Sequence, residues 1–241
     1  MSNKSFQVVF PSTGHCGSTY IAKVAQEYDI SISHEFAYRG ERWSTKNERD
    51  PREILAKGAI AESSGFMPPF LRDQFCRDAK CVHLIREPIR VVRSWALSHY
   101  GHGHGGFHSS WLDVYDLWPY KNVELFQMPA PCRDHTWLCG MYVQWNKLIE
   151  QLRPDAVRYK VERGPEFISM LGWAELDGRH KTDATCSIKV DPQQRFDMVV
   201  TDKQVLDDFM EMTERYGYQT RKVKENGENP NERCVSEGGA S

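Results

Sequence analysis

Val8-Val9-Phe10-Pro11-Ser12-Thr13-Gly14-His15-Cys16-Gly17-Ser18-Thr19-Tyr20 is the stretch on which the fold turns. A short apolar run ends in a glycine-bearing turn, and a helical pattern follows to Tyr28. A tight turn between a buried strand and a helix aims backbone N–H groups and the positive end of the helix dipole at one spot, which suits an anion. The strict nucleotide-kinase loop, G-x-x-x-x-G-K-[ST], is not met. Ser12 stands where its first glycine belongs and Ser18 where its lysine belongs. The backbone cradle is legible, but the lysine that grips a β/γ-phosphate is missing. A purely structural strand-to-helix connection would carry the same residues.

Further along, Lys80-Cys81-Val82-His83-Leu84-Ile85 reads as a buried strand, followed by Arg86-Glu87-Pro88 and a helix to about His99. Pro88 suits a first helical turn. Arg86 at the strand's carboxyl end and Ser94 on the helix can converge on one phosphate, the first as a charged fork and the second as a hydroxyl donor. Strands are expected near 6–10, 30–35, 59–63, 81–85 and 156–161. Helices are expected near 17–28, 51–57, 68–78, 88–99, 134–152, 164–171 and 202–216. This alternation predicts an α/β fold, a three-layer α/β/α domain over residues 1–220 around a central parallel sheet of about five strands. Functional loops then gather at the strands' carboxyl ends. An irregular insertion is expected near 101–133. The tail 221–241, with Asn226-Gly227, Asn229-Pro230 and Gly238-Gly239, is expected to be disordered.

The 241 residues suffice for one large α/β domain. A formal net charge of −2 gives no bulk attraction to nucleic acid, so basic residues must act locally on an anionic ligand. Seven cysteines without regular spacing fit reduced thiols better than a disulfide framework. No apolar stretch reaches the length of a signal peptide core or membrane span, so a cytoplasmic location is expected.

Taken together, the segments resemble the sulfotransferases that use 3′-phosphoadenosine 5′-phosphosulfate (PAPS) as donor. In that family the first loop holds the 5′-phosphosulfate, and the strand-Arg-x-Pro-helix-Ser segment holds the 3′-phosphate. The resemblance continues in order through Ser33-His34-Glu35, Ala61-Glu62-Ser63-Ser64, residues 137–152 with Trp145-Asn146, Val157-Arg158-Tyr159-Lys160-Val161-Glu162, and Tyr216-Gly217-Tyr218. It implies a P-loop-like donor site made of Thr13, Gly14, His15, Cys16, Gly17, Ser18, Thr19 and Tyr20 with Arg86 and Ser94, and a hydroxyl or amine acceptor. No metal is required. Tyr20 either stacks on adenine or packs in the core.

The family usually places Lys or Arg where this chain has His15, and some members add a lysine where it has Ser63. The resemblance therefore implies that His15, protonated, serves the bridging oxygen or that the chemistry is slow or altered, and a loop histidine that caps the helix is the structural alternative. Glu35 is the expected general base and Glu62 the alternative, with His34 alternating to the opposite strand face and packed. Arg179-His180-Lys181 either assists the 3′-phosphate or is a solvated loop. The run His99-Tyr100-Gly101-His102-Gly103-His104-Gly105-Gly106-Phe107-His108 reads either as metal ligands or as an acceptor-site loop covered by Trp111, Tyr115, Trp118 and Tyr120. Two other functions stay open. One is a P-loop kinase, with Met198-Val199-Val200-Thr201-Asp202 supplying a magnesium-binding Asp. The other is a nucleotide-binding protein of the same fold that has lost turnover.

Overall fold

The apolar run that opens the chain forms β1 (Val8–Pro11), buried along its whole length, as a strand must be when helices cover both faces of its sheet. A computed structural model describes residues 5–35, 51–65, 67–100, 135–178, 198–219 and 224–225. With β1 run β2 (Ile32–His34), β3 (Ala61–Ser64), β4 (Lys80–Ile85) and β5 (Val157–Lys160), giving a five-stranded sheet in the order β2-β3-β1-β4-β5. All its pairings are parallel. Val8 pairs with Ala61 on one side and Lys80 on the other. The helices are α1 (Ser18–Glu27), α2 (Pro51–Ala56), α3 (Pro88–Tyr100), α4 (His135–Leu152), α5 (Phe167–Met170) and α6 (Lys203–Arg215).

Strand alternation divides the core in two. Val8, Phe10, Val82 and Leu84 pack with Ile21 and Val24 of α1 and with Phe167 of α5. Val9, Cys81 and Ile85 pack with Val91 and Trp95 of α3, Trp145 of α4 and Phe209 of α6. The expected parallel α/β sheet is therefore present, with helices on both faces.

Some elements depart from expectation. Residues 68–78 form only a 3₁₀ turn, Pro68–Phe70, followed by turns. The Asp73 carboxylate accepts from Phe75 N at 2.7 Å and Cys76 N at 3.1 Å, a local bond that competes with helix continuation. Over 164–171 the α-helix is confined to α5, because Gly164 takes φ 70° and Pro165 follows it inside a 3₁₀ stretch, Val161–Glu166. A two-residue β6 (Val199–Val200) pairs in parallel with β7 (Lys224–Glu225), so part of the tail expected to be disordered is strand. The 101–133 insertion, Arg179-His180-Lys181 and the rest of the tail lie outside the described residues. No helix among the described residues is long and apolar enough to cross a membrane.

The strand order fixes where a site belongs. From β1 the chain passes through α1 toward β2 and β3, and from β4 it passes through α3 toward β5. Adjacent strands whose connections leave in opposite directions open a crevice at their carboxyl ends, the usual ligand position of open α/β sheets. Here that crevice lies between the loop after Pro11 and the segment that begins at Arg86.

Candidate functional site

The loop from Ser12 to Gly17 is built from left-handed backbone. Gly14, His15 and Gly17 have φ of 71°, 51° and 91°. Glycine at position 17 is required twice over, by its φ and because an ideal Cβ would overlap Val161 Cγ2. Gly17 is also the N-cap of α1 and supplies no capping side chain. The first N–H donors of α1 are thus directed at whatever occupies the loop, a ready-made anion site. The Trp145 indole N–H donates to Ser12 O at 2.8 Å, and Ser63 Oγ donates to Ser18 O at 3.1 Å. Gly65 backs onto Gly14 so closely that a Cβ there would stand 2.9 Å from Gly14 Cα and N. Thr13 and Cys16 turn inward, with Thr13 Oγ1 2.7 Å from Cys16 Sγ. Burial pushes the Cys16 thiol up to about 11, which leaves it protonated and unreactive at neutral pH. Those two residues therefore offer the loop their backbone alone.

The second expected anchor meets the first at His15. Arg86 Nη1 donates to His15 O at 3.0 Å, and Ser94 Oγ lies 2.8 Å from His15 Nδ1. Arg86 is half-buried, and among the described residues it forms no ion pair with a carboxylate. Among the described residues one N–H of its guanidinium fork is engaged, which leaves others for an anion. Tyr142 OH donates to Arg86 O at 3.3 Å. Glu162, at the end of β5, accepts from Glu87 N at 3.0 Å and from Tyr218 OH at 2.8 Å, which ties the start of α3 to the end of α6.

The third group comes from the end of β2 and differs from expectation. His34 is not packed away on the far face. Its Nε2 lies 3.1 Å from both Ser18 Oγ and Thr19 Oγ1 and 3.7 Å from Glu35 Oε1, with both side chains about a quarter exposed, 26% and 27%. Strand alternation fails here because β2 ends at His34 and Glu35 takes a left-handed φ of 54°, held by Glu35 N donating to Ser63 O at 3.2 Å. Glu62 is fully buried on β3, so of the two candidate bases Glu35 is the one open to the crevice. Tyr20 is 4% exposed and packs with the core on the α1 side.

Asp202, the residue offered for magnesium in the kinase reading, serves as a helix cap. Its Oδ1 accepts from Val205 N at 3.0 Å as the N-cap of α6, and its strand lies outside the five-stranded sheet. Among the described residues no group of His, Cys, Asp and Glu side chains could hold a metal ion. His102, His104, His108, Trp111, Tyr115, Trp118 and Tyr120 lie outside the described residues, as does the side chain of His99. The sequence did not disclose Trp145, Tyr142 or Glu162 as supports of the crevice. A buried Trp on a long apolar helix was the available signal, since its N–H requires an acceptor. No protein-family model matches the chain, and no curated protein matches it.

Proposed function

We propose that the chain is a PAPS-dependent sulfotransferase acting on a hydroxyl or amine acceptor. The observation that carries this reading is the junction at His15. A half-buried arginine with no carboxylate partner among the described residues and a helix serine both bond the residue at the centre of an uncapped-helix anion loop, at the switch point of a parallel sheet. Two neighbouring anion sites suit a ligand with two separate phosphate groups, as PAPS and its product 3′,5′-adenosine bisphosphate are. In the kinase reading Arg86 and Ser94 have no task, and Asp202 caps a helix.

Each group then has a role. The acceptor oxygen or nitrogen attacks sulfur while the bond from sulfur to the 5′-phosphate oxygen breaks. The acceptor proton passes to the Glu35 carboxylate, and 3′,5′-adenosine bisphosphate leaves. Charge grows on the bridging oxygen, where α1's N–H donors and protonated His15 oppose it. With Nδ1 engaged by Ser94, the ligand-directed nitrogen of His15 is Nε2.

The test is a titration with 3′,5′-adenosine bisphosphate in the absence of magnesium, followed by turnover of radiolabelled PAPS over hydroxyl and amine acceptors. Magnesium-independent binding with transfer supports the reading. Binding without transfer to any acceptor would leave a nucleotide-binding protein, and preference for magnesium-ATP would favour the kinase.

A further inference from the structure

His34 stands where three oxygen atoms meet. Its Nε2 faces the hydroxyls of Ser18 and Thr19 from the first turn of α1 and the carboxylate of Glu35 from its own segment. On β3 its paired position is Ser63, and the nearest β3 carboxylate, Glu62, projects by alternation to the opposite sheet face.

We propose that His34 takes up a proton from solvent when a phosphate group fills the Gly14–Thr19 loop, and so couples the filled loop to the ionisation of Glu35. The inference rests on reading that loop as an anion cradle. Each hydroxyl owns a single proton. With the loop empty, Ser18 and Thr19 both direct their protons at Nε2, which acts as an acceptor while Nδ1 carries the ring proton. Phosphate oxygens of a dianion only accept, so hydroxyls on the first turn of the cradle donate to them instead. Nε2 then faces two oxygen lone pairs and a carboxylate, and only an N–H satisfies all three. Moving the ring proton from Nδ1 would supply one. The negative charge of the arriving phosphate, added to that of Glu35, favours the imidazolium over this neutral tautomer. An imidazolium 3.7 Å from Glu35 Oε1 holds that carboxylate ionised while the donor is bound, so the base is ready before the acceptor proton must be taken. His34 is on this account a positioning residue.

Calorimetric titration with 3′,5′-adenosine bisphosphate in buffers of differing ionisation enthalpy, at mildly alkaline pH, measures the protons exchanged. Wild type is expected to take up between about half and one proton more per ligand than His34→Gln. In the variant the amide N–H replaces the imidazolium donor, and its affinity declines less steeply with rising pH than that of wild type. His15→Gln retains the share of the uptake that His34→Gln removes, which separates the two histidines. Independently of any variant, the ring nitrogen shifts of His34 in the wild-type protein should move to imidazolium values on binding. Equal uptake in His34→Gln, or shifts that report a neutral ring in the bound state, would overturn the coupling while leaving the cradle intact. Failure of the bisphosphate to bind wild type would overturn both.

Discussion

Two histidine networks lie on the same sheet and are built to opposite ends. Under β4, His83 is fully buried, with Nε2 2.7 Å from Asn146 Oδ1, and Asn146 Nδ2 donates in turn to Tyr142 O at 2.8 Å. That second bond orients the amide, so His83 must donate from Nε2. Around it Glu150 pairs with Arg158 and Arg215 at 2.9 Å each and accepts from Tyr216 OH at 3.0 Å, and the Tyr216 ring stands edge-on to His83. In the crevice, His15 and Glu35 hold left-handed φ angles, His34 and Glu35 are partly exposed, and Arg86 keeps donors unused. Burial and pairing within the protein, which for His83 leave only Nδ1 without a hydrogen bond among the described residues, mark groups that hold the fold. Strained backbone, partial exposure and spare donors mark groups that await a ligand.

The sharpest break would come at Glu35. Glu35→Gln keeps the shape and removes proton acceptance, so transfer should fall by roughly 10²–10⁴-fold while bisphosphate affinity holds. Turnover close to wild type would remove Glu35 from the open network and return the role to Glu62, despite its burial. Arg86 comes next. Arg86→Ala should weaken binding of 3′,5′-adenosine bisphosphate by ~2–5 kcal/mol, the cost of removing one partner of a desolvated charge pair. Adenosine 5′-phosphosulfate, which lacks the 3′-phosphate, should lose much less, and only because Arg86 also steadies His15 O. Matched losses for the two ligands would make Arg86 a structural brace of the loop.

The closed network is tested by acid. Burial pushes His83 down from 6.5 to about 4. Above pH 6.5 the residue is neutral in both states and contributes no pH dependence. As pH falls from 6.5 toward about 4, the unfolded chain binds a proton that the folded chain refuses, so folded-state stability declines. Over that window the loss attributable to His83 approaches about 3 kcal/mol. Urea unfolding across it should show a shallower decline in His83→Gln than in wild type. The same slope in both would mean that the buried ring is not what acid attacks.

The difference between the networks also explains what could be read from the chain. The sheet was legible because β1 is an apolar run closed by a glycine turn and β4 a mostly apolar one, broken by His83, closed by Arg-x-Pro, signals that are local. Arg86 and Ser94 were legible as a pair for the same reason, their spacing across a strand end and one helix. His34 was misread because a single backbone angle at Glu35 cancels strand alternation, and no residue type announces a left-handed glutamate. The helix expected over 68–78 was lost to one Asp73 side chain competing for N–H groups. Trp145 and Ser12 lie on separate elements and meet only through packing, beyond any local pattern.

The small difference between two glycine substitutions isolates the loop from generic turn chemistry. Gly17 and Gly58 share a φ of 91°, but an added Cβ meets nothing within 4 Å at Gly58, whereas at Gly17 it overlaps Val161 Cγ2. Alanine at either position must adopt a left-handed backbone, which costs ~1–2 kcal/mol. Only Gly17→Ala adds the overpacking against Val161, a further ~1–3 kcal/mol. Relief by backbone movement would open the N-cap of α1 and tilt its N–H donors off the anion. Gly58→Ala should therefore lower stability with bisphosphate affinity unchanged, while Gly17→Ala lowers both. Paired unfolding and binding measurements on the two variants read this directly. Equal stability losses, with affinity intact in Gly17→Ala, would show that the left-handed turn serves only to join strand to helix.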